Sequence, residues 1–354
     1  MKIEVQGSAG AGGWPENGCR CASCLRAAAA GSPRRPFRVL IDDVLALTGA
    51  GAVADVPGYQ VRPLPGGWDV TAPDGSRLLA GVRPEVPAGT ARYDAALLGL
   101  AGDPAQLGLL RARGLVTGST LVLAVFADHR VRSERELRRR CRFWRAALPR
   151  DGDTLIAPVP AAADAAAAAD AAAAGRFPRR VLVLGGAGSG KSAEAELRLA
   201  AEPSVTYVAT GGPAGPADPE WAARVAAHRA RRPSWWRTVE STDLAGVLRE
   251  AREAVLVDSV TTWLAAVMDQ CGAWDGSAAA GARLAEQIAG LIRAWRQAEA
   301  HVIAVSDETG LGVVPETAAG RMFRDELGRL NQRLAAEADE FTVIVAGRPL
   351  ASED

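Results

Sequence analysis

The chain has 354 residues, 48% hydrophobic and 23% charged, with 41 basic against 41 acidic side chains and a formal net charge of zero. That length allows two ordinary domains with cores of their own, and the balance excludes a wholly disordered chain. Neutral net charge argues against recognition of nucleic acid through a global field and leaves only a local basic patch open, and no nucleic-acid partner is expected. Apart from an alanine run, no 18 consecutive residues are apolar and free of charge, Gly or Pro, so no membrane span is predicted. The opening MKIEVQGSAG lacks the layout of a signal peptide, and a cytoplasmic protein is expected.

In the first half, Lys2–Gln6, Phe37–Ile41, Trp68–Thr71, Arg77–Leu79 and Thr120–Phe126 read as strands, with Ala-Pro-Asp-Gly-Ser at 72–76 as a hairpin turn. An α+β or β-rich layered domain is predicted over 1–157. Cys19, Cys21 and Cys24 fall within six residues, which in a reducing compartment points to metal before disulfide. Cys141 and Cys271 stand alone and are expected to be ordinary semi-buried residues.

Ala161 to Ala174 holds twelve alanines and two aspartates, after Pro158 and Pro160 and before Gly175 and Pro178. Alanine favours helix, but this stretch has no stripe of large apolar side chains with which to dock. It is predicted to be a linker, over 158–178, between the first domain and a second at 179–354.

In the second domain, Val181–Gly185, Val205–Ala209, Ala254–Asp258, Val302–Ser306 and Phe341–Ala346 are β-branched-rich runs without polar alternation, as expected of strands covered on both faces. Between them lie helical patterns at Pro219–Arg231 and Ala282–Ala298, and another marked by Phe323, Leu327, Leu330 and Leu334. Strand and helix in alternation predict an α/β fold on a mostly parallel sheet.

Residues 181–192, VLVLGGAGSGKS, match G-x-x-x-x-G-K-[ST] in the strand–loop–helix context that the phosphate-binding loop requires. Glycines let backbone N–H groups converge on phosphate oxygens, and the helix start adds its positive dipole end. Lys2 and Lys191 are the chain's two lysines, and the internal one falls on the motif position. Lys191 supplies a mobile cation for the outer phosphates, and the Ser192 hydroxyl can ligate Mg²⁺. Asp258, ending an apolar strand, suits the second, metal-organising carboxylate. Thr210-Gly211-Gly212 and Ser306-Asp307-Glu308 also follow strands, at the edge where open parallel sheets bind ligands. His228 shares a helical face with Trp221 and Val225, beside Arg229, Arg231, Arg232 and Arg237. Guanidinium groups gather phosphates, and a neutral imidazole can attack phosphorus to form a covalent intermediate.

From about Arg180 to Leu350 the sequence resembles the bifunctional adenosylcobinamide kinase/adenosylcobinamide-phosphate guanylyltransferase family. The carriers are GGAGSGKS at 185–192, YVATG at 207–211, HRARRPSWWRTVE at 228–240, VLVDS at 255–259 and the long stretch SDETGLGVVPETAAGRMFRDELGRLNQRLAAEADE at 306–340. The resemblance implies a P-loop NTPase-type sheet and two reactions at one nucleotide site. A triphosphate, ATP or GTP, phosphorylates adenosylcobinamide; GTP then donates GMP to His228, and the cobinamide phosphate takes it to give adenosylcobinamide-GDP. It implies His228 and Lys191 as catalytic residues and Ser192 and Asp258 as Mg²⁺ ligands. Nucleotide contacts are expected from Gly185, Gly186, Ala187, Gly188, Ser189, Gly190, Lys191, Ser192, Ala209, Thr210, Gly211, Arg229, Ala230, Arg231, Arg232, Glu240 and Asp258. A homo-oligomer, a trimer by resemblance, is expected. Two positions depart from the pattern: Gly188 stands where arginine is common, and Asp307 where the family has asparagine.

Gly18 to Cys24, following MKIEVQGSAGAGGWPEN, resembles the amino-terminal region of metallo-β-lactamase-fold phosphodiesterases, especially the cyclic-phosphate phosphodiesterase of phosphonate metabolism. Those proteins bind a structural zinc through a cysteine cluster and a distant histidine. The resemblance implies a Zn²⁺ site at Cys19, Cys21, Cys24 and His129. Phe126 occupies the place of a catalytic-metal histidine, and H-x-H-x-D-H is missing, so a degenerate domain without hydrolase activity is expected. Two other readings stay open on the residues alone: another P-loop kinase or nucleotidyltransferase, and a non-catalytic nucleotide-binding protein.

Overall fold

A computed structural model describes residues 1–31, 33–159, 180–211 and 219–350, with backbone only at 219–222, 224 and 227. From residue 160 on, the alanine-rich linker lies outside the described residues, as do Gly212 and the Trp221 side chain. Residues 1–159, together with Ala200–Pro203, form one unit, and the other described residues form a second.

The first unit holds β1 (Lys2–Gly7), α1 (Ala22–Ala29), β2 (Arg38–Ile41), β3 (Leu45–Thr48), β4 (Gly51–Ala52), β5 (Gln60–Leu64), β6 (Gly67–Thr71), β7 (Arg77–Gly81), β8 (Ala95–Leu98), α2 (Ala105–Ala112), β9 (Leu121–Ala124), α3 (Glu134–Phe143) and β10 (Thr154–Ile156). One sheet is antiparallel, in the order β10-β1-β2-β3-β4. The other runs β5-β6-β7-β8-β9, antiparallel through β7 and parallel beyond. Alternate residues of the first sheet (Ile3, Val5, Val39, Ile41, Leu45, Leu47) share a core with Val70, Leu78, Ala80, Leu97 and Leu123 of the second. The layered reading matches this arrangement. The predicted hairpin turn joins β6 to β7, while the strand expected at Thr120–Phe126 is limited to Leu121–Ala124. Cys141 and Cys271, expected to be semi-buried, are buried. Each faces inward from a helix that packs its apolar stripe.

The second unit alternates strand and helix: β11 (Arg180–Gly185), α4 (Lys191–Leu199), β12 (Val205–Ala209), α5 (Pro219–Arg231), β13 (Arg237–Glu240), α6 (Leu244–Glu250), β14 (Ala254–Asp258), α7 (Val260–Cys271), α8 (Ala278–Gln297), β15 (Val302–Asp307), α9 (Ala318–Ala336), β16 (Glu340–Val345) and β17 (Arg348–Pro349). The sheet order is β13-β12-β14-β15-β11-β16-β17, parallel except for β17. Successive strand residues serve opposite faces. Val181 and Val183 join Ala195 and Leu199 of α4 on one side. Leu182 and Leu184 join Trp263, Leu264, Leu291, Trp295, Leu327 and Leu330 of α7, α8 and α9 on the other. Each such large side chain contributes about 1.5–3 kcal/mol through burial, which explains why β11 shows no polar alternation; β16, expected to be covered on both faces, is not, since Phe341 and Val345 are 53% and 50% exposed. Helix α8 begins at Ala278, four residues before the expected start, because the Ser277 side chain accepts from the Ala280 N–H and caps it. Among the described residues, no helix is long and apolar enough to cross a membrane.

Candidate active site and metal centre

Parallel pairing brings the carboxyl ends of five strands to one edge. Gly185 pairs in register with Asp307, and Ala209 lies between Glu240 and Asp258. The sequence-predicted positions on these strands therefore stand in one row.

The loop after β11 turns back tightly. Gly188 and Gly190 have φ of +68° and +95°, a region that glycine alone occupies without strain. A Cβ at Gly185 would lie 2.4 Å from Ser189 Oγ and 2.7 Å from the Ile344 carbonyl oxygen. Helix α4 starts at Lys191, so its first N–H groups open onto the loop.

Asp258, at the end of β14, uses both carboxylate oxygens. Its Oδ1 accepts from Ser192 Oγ at 3.3 Å. Its Oδ2 lies 3.1 Å from His228 Nδ1 and accepts from the Tyr207 hydroxyl. Burial would raise the Asp258 pKa, but hydrogen bonds from His228 and Tyr207 outweigh it and hold the group below the ordinary carboxylate range. Burial, and then the Asp258 charge, drive the Tyr207 phenol well above the usual tyrosine range, so it stays a donor. One anionic carboxylate thus links the loop serine to the imidazole. With Nδ1 turned to Asp258, Nε2 is the ring nitrogen left to act as nucleophile. The His228 side chain keeps 23% exposure, so the ring is not sealed in the core.

The guanidinium cluster expected around His228 is not one locus. Arg229 pairs with Glu240 at 3.1 Å and Arg231 with Glu196 at 3.0 Å. Arg232 lies 3.3 Å from the centroid of the Tyr207 ring and donates to Thr238 Oγ1 at 3.1 Å. Arg237 opens β13 and therefore sits at the opposite edge of the sheet, where it donates to Thr206 Oγ1 at 3.0 Å and faces Glu253 at 3.6 Å. Sequence proximity misled here, because the strand carries Arg237 away from Glu240 at its other end.

Lys191 Nζ is 2.7 Å from Asp307 Oδ1 and donates to the Gly186 carbonyl at 3.2 Å. The main chain of Asp307 is held on both sides. Its N–H donates to Thr261 Oγ1 at 2.8 Å, and its carbonyl accepts from Asn331 Nδ2 at 3.0 Å. Thr210 bonds the Ser259 N–H and carbonyl at 3.1 and 2.6 Å and so braces the turn after Asp258. Sequence reasoning missed Tyr207, Thr261 and Asn331 as site residues. Tyr207 sits inside an apolar strand, and only its hydroxyl distinguishes it from core.

In the first unit, Cys19, Cys21, Cys24 and His129 each offer a ligand atom within 4.8 Å of the others. Cys21 caps α1, accepting from the Cys24 N–H, and that bond brings its thiol down to about 7. Burial pushes the Cys24 thiol up to about 11. His129 Nδ1 is 2.8 Å from Glu16 Oε2 and 3.7 Å from Cys19 Sγ. Phe126 is buried and stacks on Phe37 with centroids 4.2 Å apart.

The model of the family described as cobinamide kinase / cobinamide phosphate guanyltransferase matches residues 181–352. The bifunctional adenosylcobalamin biosynthesis protein CobU of Salmonella typhimurium is 39% identical over 177 residues, covering 47% of this chain and 96% of that protein. CobU of Escherichia coli is 41% identical over 177 residues, with 47% and 96% covered. The bifunctional adenosylcobalamin biosynthesis protein CobP of Pseudomonas aeruginosa is 42% identical over 179 residues, with 48% and 95% covered.

Proposed function

The chain belongs to the cobinamide kinase / cobinamide phosphate guanyltransferase family, and on that premise we propose that its second unit carries out both reactions at the row of strand ends described above. It is a transferase of cobalamin biosynthesis. In the kinase step, the adenosylcobinamide hydroxyl attacks the γ-phosphorus of ATP or GTP. The new O–P bond replaces the bond to the leaving nucleoside diphosphate, and the hydroxyl proton is released. In the second step, His228 Nε2 attacks the α-phosphorus of GTP and pyrophosphate leaves. A phosphate oxygen of adenosylcobinamide phosphate then displaces the imidazole to give adenosylcobinamide-GDP.

The observation that carries this reading is the Asp258 carboxylate, which bonds Ser192 through one oxygen and His228 through the other. It holds Nδ1 as the donating nitrogen, leaves Nε2 as the nucleophile and stabilises the positive charge that develops on the ring. The loop from Gly185 to Ser192 would cradle the phosphates, with Lys191 neutralising their charge. Ala209, Thr210 and Gly211 line the neighbouring strand end; Arg229, Ala230, Arg231, Arg232 and Glu240 are proposed as nucleotide contacts beyond it.

Ser192 Oγ and Asp258 Oδ1 fit Mg²⁺. Adjacent ligands on an octahedron of about 2.1 Å radius lie about 3.0 Å apart, close to the 3.3 Å found. When bound, Mg²⁺ supplies charge neutralisation on the phosphates. Zinc is likewise proposed at Cys19, Cys21, Cys24 and His129, since tetrahedral ligands at about 2.3 Å stand about 3.8 Å apart, and the ligand atoms here, all within 4.8 Å of one another, reach that spacing by closing in by about 1 Å at most. A closed Cys₃His set braces a fold and leaves no open position for catalysis. The Phe126–Phe37 pair supports reading the first unit as a degenerate metallo-β-lactamase-like domain. A trimeric assembly in the cytoplasm, where thiols stay reduced, completes the proposal.

GTP labelled at the α-phosphate tests it. The full chain should acquire an acid-labile, alkali-stable label, and His228→Ala should acquire none. Retention of that label in folded His228→Ala would refute the assignment.

A further inference from the structure

Most of the cations around the strand ends are paired within the chain. Lys191 pairs with Asp307, Arg229 with Glu240 and Arg231 with Glu196. Arg232 lies against the Tyr207 ring. Asp258 adds an anion whose hydrogen-bond donors keep it ionised. A loop of this type attracts phosphates when its lysine is available, but here the lysine ammonium has a carboxylate 2.7 Å away.

We propose that Asp307 is the resident counter-anion of Lys191 and restricts entry to triphosphate carrying a divalent cation. The inference rests on the nucleotide reading above and adds a specificity-determining residue to it. The main chain of Asp307 is anchored beside the loop: its N–H donates to Thr261, its carbonyl accepts from Asn331 and it pairs in register with Gly185. Ser306 Oγ in turn donates to Asn331 Oδ1 at 2.7 Å, which immobilises that amide. An arriving phosphate must therefore compete for Lys191 with a carboxylate whose backbone is anchored next to the loop. Metal-free triphosphate brings about four negative charges at neutral pH into that neighbourhood, whereas its magnesium complex brings about two. A charge within about 4–6 Å shifts a protonation equilibrium by about one to three decades, and the low end of that range sets the expectation for a phosphate beside Asp307.

The test is calorimetric titration of the full chain with a GTP analogue whose α,β bridge is methylene, so that guanylylation of His228 cannot consume it. Binding is measured with excess Mg²⁺ and again in EDTA. The wild type should bind at least about 30-fold more weakly in EDTA. Asp307→Asn should strengthen the EDTA affinity about tenfold and change the Mg²⁺ affinity less than threefold; Asp307→Ala should move both the same way. An EDTA affinity in both folded variants that stays within twofold of wild type, or falls, would overturn the role of Asp307 and leave the nucleotide site intact. Failure of the wild type to bind the analogue with Mg²⁺ would instead overturn the nucleotide reading itself. If Asp307→Asn does not fold, Asp307→Ala decides the question.

Discussion

Asn331 offers a stringent check on how the site is held. Its amide is 4% exposed and bridges two groups of β15: it accepts from the Ser306 hydroxyl, itself fully buried, and donates to the Asp307 carbonyl. Asn331→Leu keeps the volume and strands both partners. A buried donor or acceptor left without a partner costs about 1–3 kcal/mol, so the variant should lose about 2–6 kcal/mol. Adding Ser306→Ala removes one stranded hydroxyl and should recover about 1–2 kcal/mol, a coupling that independent sites do not show. Urea unfolding followed by circular dichroism reads the effect. The transition belonging to the second unit is recognised because Mg²⁺ and GTP shift it. The reasoning fails if Asn331→Leu costs under about 0.5 kcal/mol, or if Ser306→Ala makes the double variant less stable still.

Zinc content should approach one equivalent per chain in protein purified without chelator and fall below about half an equivalent in Cys24→Ser, as measured by mass spectrometry of the metal. Glu136 supplies a pH dependence in the first unit. Burial alone would raise its pKa, but Arg139 and Arg140, at 3.0 and 2.7 Å, hold it below its ordinary value of 4.5. Its stabilisation is therefore complete above that value and is lost as pH falls through the depressed pKa of the folded state. In thermal melts between pH 7 and 3, Glu136→Gln should lose on the order of 1 kcal/mol less than wild type. Identical acid slopes would contradict the pairing.

Much of the second unit was legible because several signals agree there. Apolar runs of five or six residues, the glycine-rich turn and a lysine at the motif position leave little choice about β11, its loop and α4. Position along a strand was harder to read. Arg237 and Glu240 are neighbours in sequence, yet they sit at the two ends of β13, and only the sheet tells which end faces the loop. Tyr207 and Asn331 look like core and helix filler because their roles depend on partners 51 and 24 residues away. In the first unit, β8 was missed because Ala95–Leu98 lacks the β-branched residues that mark a strand. The cysteine spacing was visible, but His129 lies 110 residues from Cys19 and entered through resemblance alone.

The interior place of β11 in its sheet has a consequence for biosynthesis. Its two neighbours are β15 and β16, and Arg180 pairs with Val302 while Val181 pairs with Glu340. Ribosomes add about 5–20 residues per second, so the strand leading into the nucleotide loop waits roughly 6–24 seconds for its first partner and longer for its second. During that interval both of its edges are open, a state in which a chaperone or a neighbouring nascent chain competes with the native pairing. Nucleotide binding during translation should therefore switch on late, after β15 has emerged from the exit tunnel.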